Sequence, residues 1–348
     1  MPFVQFMETA LYCPKIGYYE RTHEVVGRAG DFYTSASAAP LFAELVAFQC
    51  AEWLLGLDDG RLMLVEAGAH DGGLARGILC WLKEHRADLF KRIQYWIVEP
   101  SEERKAWQKA NLDEFAGQVW WVGALQDLPP VRGVILSNEL VDALPVHCLA
   151  WNATARKWVE LGVGIEGGRF IWLELPQPTF DSSTEMRLAG FEISPGLESI
   201  LPDGFIIEIS PAARQWWGSA AVKLERGYLL TVDYGLAAEQ MLAPQRSRGT
   251  LRSYKHHRLV ADVLENPGEQ DITAHINFTQ LQIAGEEAGL KTDPVLSQER
   301  FLGQIVRQTL ANSTCFGGWN SKRAQQLQTL THPEHLGRPF QVMVQHRP

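Results

Sequence analysis

The chain has 348 residues, enough to bury a substantial core in one large domain or a little more. Lys and Arg total 32 against 41 Asp and Glu, a net charge of −9, and this balance argues against a nucleic-acid binder with a basic face. The cysteines Cys13, Cys50, Cys80, Cys148 and Cys315 are scattered, odd in number and free of any CxxC pair, which fits a reducing compartment and leaves no metal framework to expect.

The first residues, MPFVQFMETALY, lack a basic stretch followed by a long apolar core, and they are not Arg-rich. No apolar run approaches membrane-spanning length. A cytoplasmic protein without a membrane partner is therefore expected. Residues 3–11 have helical apolar spacing, which Pro14 and Gly17 break beside three tyrosines, Tyr12, Tyr18 and Tyr19. Residues 27–37 are polar and glycine-bearing, and 40–55 read as a long helix. Residues 62–74, LMLVEAGAHDGGL, join a short apolar strand to a helix through a turn containing Gly68, Gly72 and Gly73, with Glu66 at the strand's end. Further strands are expected at 94–98, ending at Glu99, at 119–122, and at 131–137, ending at Asn138. Strands and helices in this alternation predict a parallel sheet with helices on both faces. Residues 146–205 switch to apolar-polar alternation with Gly turns, which predicts antiparallel hairpins in an insertion. Residues 206–217 begin as a strand and become a helix, 228–232 form the fifth central strand, and 278–288 are helical. Late strands follow at 290–295 and 340–344. The expected division is a helical cap over 1–60, a sheet domain from 61–145 and 206–348, and the insertion at 146–205.

Ligands of open parallel sheets sit at the strands' carboxyl ends. Here those ends carry Glu66, Glu99, Asn138, Glu139 and Asp233. A carboxylate after the second strand suits a ribose diol. A pyrophosphate would be repelled by Glu66 and by Asp71 inside the turn, whereas an adenosyl ligand bearing an amine and a sulfonium would be attracted. The pattern therefore favours S-adenosyl-L-methionine over a nicotinamide cofactor. Glu139 and Asp142 are three residues apart and share a face if the segment is helical. Such a pair can orient a planar guanidinium, or simply cap a helix.

With these residues in place, the sequence resembles the MidA-like class I S-adenosylmethionine-dependent methyltransferases. That family includes the mitochondrial protein-arginine methyltransferase that assists respiratory complex I assembly. The resemblance runs nearly end to end, through METALYCPKIGYY, GDFYTS, the glycine turn, VEPS, NELVDALPVH, VDYG, GTLRSYKHH, PGEQDITAHINF and LGRPFQVMV. It implies an α/β fold: a Rossmann-like, mostly parallel sheet of seven strands with an inserted antiparallel and helical region on the substrate side. For the cofactor it implies Glu66, Gly68, Ala69, His70 and Gly72 in the turn, with Glu99, Pro100, Leu125 and Asn138 beside them. It also implies Asp31, Phe32 and Thr34 over the methionine end. Glu139, Asp142 and His275 are the implied catalytic residues, with Asp233 and Asp271 near the substrate, which is expected to be a protein arginine. One departure stands out. Relatives carry glycine where this chain has His70, so the backbone must change there or the ring must face the cofactor. A scaffold that has lost turnover, a small-molecule methyltransferase and, least favoured, a nicotinamide oxidoreductase remain alternatives at this point.

Overall fold

Every residue of the first strand, β1 (Leu62–Ala67), is buried, as a strand covered on both faces must be. The structure, a computed structural model, describes residues 1–20, 40–57, 60–255, 258–311, 316–334 and 336–348. Among these, β2 (Ile93–Val98), β3 (Val119–Val122) and β4 (Val131–Asn138) follow β1. Next come β5 (His147–Asn152), β6 (Lys157–Glu166), β7 (Arg169–Glu174), β8 (Ile206–Ile209) and β9 (Leu224–Leu236). The later strands are short: β10 (Arg252–Lys255), β11 (Arg258–Val260), β12 (Asp271–Thr273), β13 (Ile276–Asn277), β14 (Lys291–Thr292) and β15 (Leu296–Ser297). The last, β16 (Phe340–Arg347), is long again.

The chain divides into two units. The first comprises Tyr33–Leu140, Ser219–Tyr234 and Ala288–Pro348. It holds the central sheet, in the order β14-β16-β9-β4-β1-β2-β3. From β3 to β9 neighbouring strands are parallel, and β16 is antiparallel to both β9 and β14. The mostly parallel α/β sheet expected from the sequence is thus present, with its strand order reversing between β1 and β4. The helix Pro40–Leu55 buries Leu41, Phe42, Leu45 and Leu54 in the same core as Leu64, Ile78, Tyr95 and Val134. It is apolar nearly all round, as an interior helix is. The late strand expected at 290–295 is instead two two-residue pairings, β14 and β15, on β16. Asp293 and Pro294 interrupt it, and proline has no N–H to donate to a ladder.

The second unit comprises Met1–Phe32, Val141–Gly218 and Gly235–Glu287. Its main sheet is antiparallel, in the order β7-β6-β5-β8. The helix Phe3–Tyr12 packs Phe3, Phe6, Met7 and Leu11 with Val146, Cys148, Val163 and Ile272. Two expectations are corrected here. Residues 1–60 do not form one cap, because Phe3–Tyr12 belongs to this unit and Pro40–Leu55 to the other. The segment from 206 does not open the sheet domain expected over 206–348, because Ile206–Ile209 pairs with β5 across Ala150↔Ile206 to His147↔Ile209 and lies in this unit.

Candidate active site at the strand ends

The turn after β1 is built from unusual backbone. Gly68, His70 and Gly72 all have positive φ, at 75°, 47° and 84°. Glycine adopts such values freely, and at Gly68 a Cβ would also stand 3.1 Å from the Leu140 side chain. Histidine is one of the few other residues found there with any frequency. His70 therefore sits in left-handed backbone, at a cost of about 1 kcal/mol. Its carbonyl accepts from Gln108 Nε2 at 2.9 Å, and its ring lies 3.8 Å from Asp71 Oδ1. Asp71 also differs from expectation. It is exposed, and its Oδ1 accepts the Gly73 N–H at 2.9 Å at the start of the helix Gly73–His85. The His70 side chain and that N–H hold Asp71 below the usual carboxylate range. Ala69 is buried beside it.

Glu66 is inside the sheet, 2% exposed. Its Oε2 accepts the Tyr95 hydroxyl from β2 at 2.5 Å. Burial pushes the carboxyl up to about 7, against the lowering effect of Tyr95 and with the charge of Asp71 adding to the rise. Glu99, equally buried, is held differently. Oε1 accepts the Ser101 N–H at 3.0 Å and lies 3.4 Å from Arg104 Nε, while Oε2 accepts from Gln108 Nε2 at 2.9 Å. Gln108 also accepts from Trp121 Nε1 at 2.9 Å, so one buried amide ties the turn, the end of β2 and β3 together. Tyr95 and Gln108 were not anticipated from sequence. Each is marked only by a through-space partner on another element. Pro100 is exposed, and Leu125 is buried on the short turn after β3.

At the end of β4, Asn138 Nδ2 donates to Glu139 Oε1 at 3.1 Å. Asn138 Oδ1 is buried and accepts no hydrogen bond among the described residues. Glu139 is half-buried with φ 51°, and its N–H donates to Val232 O at 3.0 Å. The positive φ corrects the expectation of a shared helical face. The short turn Val141–Ala143 starts only after Glu139, and Asp142 belongs to the second unit. Asp233 is fully buried inside β9 rather than at its end, and its Oδ1 accepts the Tyr234 N–H at 2.8 Å.

In the second unit the remaining residues form their own cluster. The Asp142 carbonyl accepts the Ala274 N–H at 2.9 Å. Tyr19 donates to Asp271 Oδ1 at 2.8 Å and stacks on Tyr12 with centroids 5.5 Å apart. Burial, then the charge of Asp271, raises Tyr19 well above its ordinary pKa. The His275 N–H donates to Thr250 Oγ1, and burial followed by Arg246 and Arg252 lowers its ring to about 4. Neutral His275 is thus the form at physiological pH. Asp31, Phe32 and Thr34 lie outside the described residues.

The family model described as "Putative S-adenosyl-L-methionine-dependent methyltransferase" matches residues 45–295. The chain belongs to that family. A crystal structure from Burkholderia thailandensis bound to S-adenosyl-homocysteine is 32% identical, with a TM-score of 0.84 over 100% of this chain and 88% of that one. Among curated proteins, the mitochondrial protein arginine methyltransferase NDUFAF7 of Danio rerio is 27% identical over 97% of this chain and 81% of its own. The Drosophila melanogaster homologue is 28% identical over 83% and 67%. The chain is therefore an S-adenosylmethionine-dependent methyltransferase with the Rossmann-like fold. The expected cytoplasmic location is overturned, since these relatives are named mitochondrial. Among the described residues no helix of this methyltransferase is long and apolar enough to cross a membrane. The buried, unmet Oδ1 of Asn138 fits a ligand that brings hydrogen-bond donors to the strand ends.

Proposed function

We propose that this methyltransferase modifies an arginine side chain of a protein substrate. The reading is supported by the relatives named protein arginine methyltransferases. The observation that carries it is Glu139, a carboxylate at the end of a central strand whose backbone is held at φ 51° and whose Oε1 is gripped by the Asn138 amide. Strained residues persist where the surroundings over-determine them, and they cluster at working sites.

The bound cofactor supplies a methyl group on a positively charged sulfur. The turn from Gly68 to Gly72, Asn138, and the acids Glu66 and Glu99 are the groups in this reading that hold it. Glu139 takes the guanidinium through paired N–H donors, which fixes the plane of the attacking nitrogen. Methyl transfer is an in-line displacement, so orientation provides most of the acceleration. Arginine is protonated at ordinary pH, so a proton must leave its nitrogen, and Glu139 is the base within reach.

The test is transfer of isotopically labelled methyl from S-adenosylmethionine to arginine-containing peptides, read by mass spectrometry, with calorimetric binding of S-adenosyl-homocysteine alongside. Methylated arginine is the expected product. Cofactor binding with no transfer to any arginine peptide would overturn the reading in favour of a scaffold. Transfer only to small molecules would replace the substrate class.

A further inference from the structure

A cleft of about 660 Å³ opens in the first unit beside Tyr234. We propose that this cleft is a second subsite for the protein substrate, holding a basic side chain two or three residues from the target arginine. The proposal rests on the protein-arginine reading above and adds to it a place and a charge preference.

The cleft is placed by strand register. Tyr234 on β9 pairs with Phe340, the first residue of β16, and Val232 pairs with Asn138. Neighbouring strands lie about 4.8 Å apart and rise about 3.4 Å per residue, which puts Tyr234 roughly 8 Å from Asn138 along the carboxyl edge of the sheet. An extended peptide covers that distance in two or three residues. The volume is in the range of pockets that take a small-molecule-sized ligand or a few residues of chain.

Its wall is preformed. Gly337 N–H donates to His332 O at 2.8 Å, and Glu299 N–H donates to Gly337 O at 2.9 Å. Gln298 Nε2 holds the Leu330 carbonyl at 2.9 Å. Gly337 is required by this turn, because a Cβ there would stand 2.4 Å from Thr331 O. A wall ordered before binding spares the entropy of ordering it afterwards.

The lining sets the chemistry. Tyr234, Leu336 and Pro339 supply apolar surface, and Gln328 and Thr329 supply neutral polar groups. Among the described lining residues, Glu334 carries the formal charge, a negative one. His332 Nδ1 accepts the Glu334 N–H at 3.3 Å. Apolar side chains and a carboxylate lining one cleft match a long aliphatic stem ending in a cation. The Tyr234 ring adds attraction for the same charge.

The experiment compares peptides carrying one central arginine, with lysine, norleucine or glutamate placed two or three residues to either side. Labelled methyl transfer is measured for the unmodified protein, Glu334→Gln and Glu334→Lys, with S-adenosyl-homocysteine affinity checking that each variant is folded. The unmodified protein is expected to favour lysine over norleucine by about fivefold at one of these positions, in KM rather than kcat. Glu334→Gln should abolish that preference and Glu334→Lys should turn it toward glutamate, a swap that a merely structural role for Glu334 would not produce. Arginine peptides methylated with preferences unchanged in both variants, or without any flanking preference, overturn the subsite and leave the arginine reading intact. No transfer to any arginine peptide overturns both.

Discussion

The two units bury ionisable groups of opposite kind at similar cost. In the central-sheet unit, Glu66 is raised from 4.5 to about 7, with one phenol donating to it. In the other unit, His275 is lowered from 6.5 to about 4. Because burial penalises charge, the folded chain keeps Glu66 neutral below about pH 7 and His275 neutral above about pH 4. Their pH effects have opposite sign. Between about pH 4.5 and 7 the folded chain keeps a proton on Glu66 that the unfolded chain releases, so this contribution falls as pH rises. Between about pH 6.5 and 4 the unfolded chain binds a proton at His275 that the folded chain refuses, so this contribution falls as pH falls. In the window where they overlap the two slopes oppose each other. A flat stability profile there would conceal two buried costs.

Burial also raises the carboxyl of Glu208, but the buried acids of the other unit are held by different partners. In the antiparallel sheet, buried Glu160 receives His147 Nδ1 at 2.7 Å and the Thr179 hydroxyl at 2.8 Å. Buried Glu208 receives both the N–H and the hydroxyl of Thr250, at 2.8 and 2.9 Å. Those acids join structure to structure. Glu66, with Tyr95 as its named donor, and Asn138 Oδ1, with none among the described residues, stand instead at the carboxyl edge of the parallel strands.

The largest effect that would sharpen this contrast is at Glu66. Replacing it with Gln removes a penalty that is fully present above pH 7, a gain of roughly 3 kcal/mol. Urea unfolding at pH 8 should show Glu66→Gln the more stable, and at pH 4 the two proteins should be equal. Cofactor affinity should fall in the same variant. Equal stability at pH 8 would show that Glu66 is paired better than its hydrogen bond indicates.

Next comes His275→Gln, which removes the opposite slope. Partial exposure trims its contribution to about 2 kcal/mol. The variant should lose less stability than the unmodified protein between pH 6.5 and 4, and so uncover the falling arm of Glu66. If both arms are seen without mutation, as separate transitions, the two units unfold independently and no single unfolding free energy applies.

A smaller effect separates the units by function. Glu139→Gln should keep S-adenosyl-homocysteine affinity and slow transfer to arginine by at least about tenfold, or roughly 1.4 kcal/mol of barrier. Stability should hardly change, because Asn138 can still donate to the amide oxygen. Unchanged turnover would reassign Glu139 to structure.

How much of this was legible in the chain follows the same divide. The strand Val119–Val122 and the helix Pro40–Leu55 have the ends expected from sequence, because apolar period and flanking breakers lie next to each other in the chain. The glycine turn was legible for the same reason. Ile206–Ile209 was misplaced because a four-residue apolar run says nothing about which sheet it will join, and its partner β5 is more than fifty residues away. The left-handed turn at Glu139 was hidden, since glutamate has no preference for positive φ and tertiary packing imposes it. Tyr95 and Gln108 were hidden because each works on a carboxylate that neighbours it only after folding.

The smallest effect tests the residue that departs from the family. His70 occupies φ 47° with its ring 3.8 Å from Asp71, so left-handed strain and a contact with Asp71 come together at this position. His70→Gly relieves about 1 kcal/mol of backbone strain but also frees the turn when unfolded, and it takes away the group that most lowers Asp71. These terms oppose, so stability should shift by less than about 1 kcal/mol, and S-adenosyl-homocysteine affinity by less than about fivefold. His70→Ala keeps the strain and loses the ring, and should therefore be the less stable of the two. A large loss of affinity in both variants, with stability unchanged, would mean that the imidazole touches the cofactor. The turn would then belong among the residues that select the ligand, rather than among those that only make room for it.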